Sequence, residues 1–300
     1  MSVQDAGREA NSPMIGVTGS TGVIGGAVAR GLAAAGQPIR LIVRDASRAP
    51  QLPGAEVATG TYGDRAGMQA ALAGVQTLFL VSASEDANRV ALHTTAVDAA
   101  VAAGVQRIVY LSFYGASPES TFTFARDHWY TEQHIRDSGA RFVFLRDNLY
   151  LDGLVSFWIG PDGVLAGPAG DGGTAAVARD DVAEVAVTVL LDPAAHDGQT
   201  YDLTGPEAIG LAELTAAVAA ASGRSVRYHA ETMEEAYASR AHYGAPRFEV
   251  DGWVSGYVAI AKGELEGVTD AVPQLTGHPA TGLEDFLRVH PESYAHLLSS

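Results

Sequence analysis

Short apolar runs alternating with alanine-rich, helix-periodic stretches over the first 150 residues predict an α/β chain built on a doubly wound parallel sheet with helices on both faces. Two further observations support that fold class. Gly36, Gly74, Gly104 and Gly139 each follow a helical stretch, where a left-handed residue ends a helix. A glycine-rich segment also joins the first strand to the first helix.

In order, strands are expected at residues 14–18, 39–43, 56–58, 77–81, 107–112 and 142–145. Helices are expected between most of them, at residues 22–35, 65–73, 87–103 and 123–138. After Arg146 the rhythm changes, and residues 148–173 are rich in Gly, Pro and aromatics without a clear period. A helix is expected to open at Asp181 with Glu184 completing a capping box and to end at Leu191, followed by a strand at 199–203 that returns to the sheet. Beyond Thr204 the pattern gives helices at 211–222, 232–243 and 283–289 and a strand at 225–229, too scattered for a second large sheet. The expected organisation is therefore a disordered tail at 1–12 and a nucleotide-binding domain at 13–150, to which 176–204 return. A smaller C-terminal α/β lobe for substrate is expected from 151–175 and 205–300.

Composition narrows the function. Apolar residues make up 47% and charged residues 18%, enough for a large core. A net charge of −16 repels phosphate backbones and anionic lipid, so neither nucleic acid nor membrane is expected as a partner. The chain contains no cysteine, which excludes disulfides, thiolate metal sites and a cysteine nucleophile. Asp5, Arg8 and Glu9 stand where a leader peptide would be apolar, and no apolar run approaches membrane length, so a cytoplasmic location is expected.

The strongest motif is Gly19-Ser20-Thr21-Gly22-Val23-Ile24-Gly25. Gly19 permits a tight turn, Gly22 lets the backbone approach a pyrophosphate, and Gly25 brings helix and strand close together. The helix N-terminus adds free N–H groups and a positive dipole end, so a Rossmann-type dinucleotide site is expected here. The next strand ends in Val43-Arg44-Asp45, with Arg48 beyond. Arginines at that tip suit a 2′-phosphate and favour NADPH, with NADH the second candidate. Asp45 is the ribose ligand if the register shifts by two, and two solvated arginines are the bland alternative.

Together with Tyr62-Gly63-Asp64 and Val81-Ser82-Ala83, these segments resemble the atypical short-chain dehydrogenases of the NmrA-like family. The stretch Asp127-His128-Trp129-Tyr130-Thr131-Glu132, with Ser138-Gly139 and Leu145-Arg146-Asp147-Asn148, is similar to its type 2 NAD(P)H:quinone oxidoreductase branch. The resemblance implies an NADPH-binding fold that reduces quinones or related carbonyls, with Gly63 and Asp64 by the adenine and Ser82 and Ala83 by the ribose nearer the nicotinamide. Short-chain dehydrogenases typically pair a serine, a position matched here by Ser112, with Tyr-x-x-x-Lys on the following helix. This chain has Phe124 and His128 at those two positions. A phenyl ring donates no proton, so ordinary ketone reduction is not expected, whereas a quinone accepts hydride without that assistance.

Four residues are candidates for chemistry. His128 could protonate the product and Glu132, one turn on, could orient its ring; alternatively the pair is a surface contact or binds ribose. Ser112 and Tyr114 are the other two, although Tyr114 reads more readily as a packed loop residue. His93 reads as a packed histidine, Phe157 and Trp158 as an aromatic floor or an ordinary lid contact, and no metal site is expected. The expected function is reduction of a quinone-like or enone-like small molecule, with a homodimer left open. The alternative is a non-catalytic NADP(H)-binding redox sensor that regulates a partner protein.

Overall fold

The computed structural model describes residues 13–298; the expected tail at 1–12 lies outside the described residues. The chain runs β1 (Ile15–Thr18), α1 (Val23–Ala34), β2 (Ile39–Val43), β3 (Glu56–Thr59), α2 (Arg65–Ala71), β4 (Thr77–Val81), α3 (Arg89–Ala102), β5 (Arg107–Phe113), α4 (Thr123–Asp137) and β6 (Arg141–Asp147). It continues with α5 (Leu151–Ser156), β7 (Val164–Gly167), β8 (Gly173–Thr174), α6 (Arg179–Leu191), β9 (Thr200–Leu203) and β10 (Ile209–Gly210). The last elements are α7 (Leu211–Ser222), β11 (Arg227–Ala230), α8 (Met233–Arg240), α9 (Arg247–Ala261), α10 (Ala271–Thr276) and α11 (Leu283–Val289).

Seven parallel strands form the central sheet in the order β3-β2-β1-β4-β5-β6-β9. The strands read as apolar runs because helices bury both faces. Val17, Phe79, Val109 and Leu145 pack with α1 and α6 on one face, while Leu80, Ile108, Tyr110 and Phe144 pack with α2 and α3 on the other. Gly36, Gly74, Gly104 and Gly139 all take positive φ, between 72° and 88°, so each helix stops where the sequence says it should. The strand order reverses between β1 and β4, which opens a crevice at their carboxyl ends, the place where doubly wound sheets hold ligands.

The remaining elements build a lobe with a core of its own, in which Leu154, Leu165, Leu214, Tyr257, Ile260 and Phe286 meet. Two small sheets stitch it together, β8 with β10 antiparallel and β7 with β11 parallel.

Three local expectations change. The capping box at Asp181 and Glu184 does not form, because α6 begins at Arg179 after Ala178. Asp181 instead accepts hydrogen bonds from the backbone N–H and hydroxyl of Thr281, and Glu184 pairs with His278. Residues 271–276 pack their Ala271 and Val272 into the sheet core rather than the lobe. The longest lobe helix, α9, was not expected at all, since Gly252 and Gly256 interrupt it. Both glycines face aromatic rings: a Cβ on Gly252 would collide with Phe124, and one on Gly256 would sit 3.6 Å from Phe122. The glycines therefore mark a close helix contact rather than a loop.

Candidate functional site: a cleft at the sheet switch point

A cavity of about 590 Å³ lies at the carboxyl ends of β1, β2 and β4. Its lining brings together Gly19, Thr21 and Gly22 from the loop, Arg44 from the tip of β2, Gly63 after β3, and Ser82 and Ala83 after β4. The loop's shape follows from its glycines. Gly19 takes φ +64°, and its carbonyl accepts the N–H of Gly22 at 2.9 Å. A Cβ on Gly25 would run into the Gly19 carbonyl, so Gly25 serves helix–strand packing and stays out of the lining. A Cβ on Gly22 would meet only that carbonyl, at 3.3 Å, and would project into open space beside the lining.

The other predicted binding residues stand apart from the lining. Val23 and Ile24 open α1, and Ser20 is buried with a hydroxyl that has no hydrogen-bond partner. Asp64 caps α2 by accepting the Gly67 N–H. Arg48 ends an exposed 3-10 turn, and Asp45 caps that turn through the Ser47 N–H and hydroxyl, which hold its carboxyl below the usual range. The carboxylate that would serve an NAD ribose is thus engaged in its own turn, while Arg44 faces the cleft.

Beneath the lining lies a knot that sequence reasoning missed. Thr18 donates its hydroxyl to the Phe79 carbonyl at 3.1 Å and accepts the Val81 N–H at 2.9 Å, tying β1 to β4 at the crevice. The signal was available: Thr18 immediately precedes the first loop glycine.

The four candidates for chemistry do not line the cleft and do not act on one another as expected. Glu132 is fully buried and accepts a hydrogen bond from Ser112 at 2.6 Å and two from the Arg146 guanidinium at 2.8 and 2.7 Å. It therefore does not orient His128. His128, 6% exposed, receives a guanidinium N–H from Arg89 on Nε2 at 3.1 Å and faces the Tyr110 hydroxyl through Nδ1 at 3.0 Å. Burial, with Arg89 beside it, holds the ring well below the usual histidine range. Its Nε2 is an acceptor, so the ring has no proton to deliver from that nitrogen. Tyr114 is seated against Gly267, and burial together with Asp202 and Glu266 raises its phenol. Trp158 stacks on Tyr257 in the lobe core at 4.3 Å, while Phe157 is 76% exposed, so the two form no common floor. Phe124 fills the position of the dehydrogenase tyrosine and presses on α9. At the end of β6, burial pushes Asp147 up to about 8, and its carboxyl receives the Tyr150 hydroxyl. Among the described residues no group of three His, Cys, Asp or Glu could hold a metal, and no helix is long and apolar enough to cross a membrane.

Comparison with known proteins places the architecture. The profile of the NmrA-like family matches residues 11–245. The chain belongs to this family. It is similar to the NAD(P)H azoreductase of Xenophilus azovorans, at 34% identity over 94% of this chain and 99% of that one. Among solved structures it resembles the Escherichia coli quinone oxidoreductase QOR2 in complex with NADPH, with a TM-score of 0.83 and 33% identity over 95% of this chain and 100% of the other. It also resembles the Citrobacter triphenylmethane reductase in complex with NADP(H), with a TM-score of 0.81 and 31% identity over 92% and 99% of the two chains.

Proposed function

We propose that this protein is an NADPH-dependent oxidoreductase that reduces a quinone-like or enone-like small molecule. The observation that carries the reading is the cleft itself, where a glycine loop at a helix N-terminus and the Arg44 guanidinium line one cavity. The residues fit the group. The open wall at Gly22 leaves room for a pyrophosphate, and Arg44 is a charged partner for a 2′-phosphate. Reductases named for NAD(P)H or solved with it, each about a third identical over nearly the whole chain, support the same assignment.

Bound there, NADPH supplies a hydride from its nicotinamide. The chain's own contribution is to bind and orient: backbone N–H groups of the loop and of α1 would hold the phosphates, and Ser82 and Ala83 would wall the sugar side. The reduced acceptor then needs one proton. With Phe124 lacking one and His128 holding Nε2 as an acceptor, the proton comes from water in this reading. That limits the substrates to acceptors, such as quinones, whose reduced anion is stable enough to wait for solvent. The reading includes a cytoplasmic location, and a homodimer is to be tested by sedimentation.

The experiment is NADPH oxidation against a panel of quinones and carbonyls, with NADPH affinity measured by calorimetry. Turnover with quinones and none with simple ketones is expected. Tight NADPH binding without turnover on any acceptor would favour the redox-sensor alternative.

A further inference from the structure

The cleft is walled by the segment between β4 and α3, and the backbone of that segment is gripped from behind. Ala83 donates its N–H to Nε2 of His93 at 2.8 Å, and its carbonyl accepts the Nε–H of Arg89 at 3.0 Å. Both polar groups of one lining residue are thus held by side chains of α3, spaced i, i+4 so that they leave the same face of the helix. Backbone groups of lining loops ordinarily face solvent or ligand; having both held by buried side chains is unusual. His93 is fully buried, and Arg89 is 7% exposed.

The grip is itself anchored to α4. His93 Nε2 is an acceptor, so its proton sits on Nδ1 and is donated to the Thr131 hydroxyl at 2.8 Å, which donates in turn to the Asp127 carbonyl at 2.8 Å. Arg89 is steadied by Nε2 of His128 and lies 3.8 Å from the Asp127 carboxylate. His128 donates its Nδ1–H in a hydrogen bond to the Tyr110 hydroxyl on β5 at 3.0 Å. Every hydrogen in this chain of bonds has a definite place only if both imidazoles are neutral, and burial, the larger cause, together with Arg89 pushes His93 down to about 3.

We infer that Arg89 and His93 are positioning residues that fix the Ala83 peptide against the bound dinucleotide, and that His128 acts by holding Arg89. This inference rests on the reading of the cleft as an NADPH site and adds residues to it. The helix position that carries lysine in the short-chain dehydrogenases here serves the site through Arg89, which His128 holds and which in turn holds the Ala83 carbonyl. No proton or electron moves through these groups; their effect is on geometry.

The test uses the full-length protein and two independent readouts. First, the Ala83 amide and His93 Nε2 form an N–H···N bond, which gives a through-bond nitrogen–nitrogen coupling in labelled protein, and the Ala83 amide should exchange slowly with solvent. Second, His93→Leu should weaken NADPH binding about tenfold or more, the loss expected for one buried hydrogen bond left unpaired, with a smaller fall in kcat. His93→Gln, whose side-chain oxygen can replace Nε2 as acceptor, should recover most of both. Thr131→Val, which removes the acceptor fixing the His93 tautomer, should show the same direction of change and serves if His93→Leu does not fold. NADPH affinity and kcat within twofold of the unmutated protein in both His93→Leu and Thr131→Val would overturn the inference. So would equal losses in His93→Leu and His93→Gln. Absence of NADPH binding by the unmutated protein would instead overturn the cofactor reading, so the two failures are distinguishable.

Discussion

At the scale of single residues, the glycine loop was legible because its demands are backbone demands. Gly19 must take positive φ and Gly25 must lack a Cβ, and both constraints leave their mark as residue type. Gly22 differs, since its missing Cβ matters to a ligand and hardly to the protein. Gly22→Val should therefore fold, as judged by circular dichroism, yet lose NADPH affinity in calorimetry; unchanged affinity in a folded variant would refute the assignment of the loop. Arg44 is the matching test at the other end of the cleft. Charge-assisted bonds to a 2′-phosphate are worth about 1.5–3 kcal/mol, so Arg44→Ala should lower NADPH affinity roughly tenfold to a hundredfold and leave NADH nearly unaffected. Equal affinity of the unmutated protein for both cofactors would remove the basis of that assignment. The side chains behind the cleft were far less legible. One-turn spacing placed Glu132 beside His128 on paper, but it could not show that Arg146, arriving from β6, claims the carboxylate first. Likewise His93 read as a packed histidine and Arg89 drew no reading, and only the loop folding back over α3 gave the two a common partner.

At the scale of elements, the inner parallel strands announce themselves because burial on both faces leaves little room for polar residues, whereas the edge strands β3 and β9, less buried and partly polar, were read from their place in the alternation. Elements that depend on a distant partner were harder to see. Residues 164–167 become a strand by pairing with 227–230, across more than sixty positions of chain. Helix α9 was concealed by its glycines, one of which, Gly252, leaves the space that the Phe124 ring fills. That contact makes a prediction. Gly252→Ala places a methyl group against the Phe124 ring and should destabilise the protein by about 1–3 kcal/mol in urea unfolding, as overpacked cores do. Combining it with Phe124→Leu should return part of the loss, because a smaller side chain gives way. Additive losses in the double variant would show that the two residues do not share the space.

At the scale of the whole molecule, three buried groups bend the pH dependence of stability. His93 and His128 are neutral when folded but titrate near 6.5 in an unfolded chain. Below about pH 6.5 the unfolded chain binds protons that the folded one refuses, so each histidine lowers stability by about 1.4 kcal/mol per unit of falling pH. Asp147 acts in the opposite sense. Its folded pKa of about 8 means that it keeps a proton the unfolded chain has released above about pH 4. Its contribution is present at low pH and is lost as pH rises toward 8. Urea titrations across pH should find a maximum near pH 6.5 from these three groups, a steeper acid limb in the unmutated protein than in His93→Gln, and a flatter alkaline limb in Asp147→Asn. Acid limbs of equal slope would mean that His93 carries a proton in the folded state.

Every residue that lines the cleft lies between Thr18 and Leu92, in the first third of the sequence, and Trp253 of the lobe reaches its rim with a hydrogen bond to Glu85 at 2.9 Å. On the proposed reading the coenzyme's grip and the cover over the acceptor are therefore written in separate stretches of the gene. Mutations drifting through residues 148–173 and 233–262, Trp253 apart, would then leave the residues that line the cleft unchanged and alter what surrounds it. A lineage built this way would inherit a fixed supply of reducing power and explore acceptors by varying the cover.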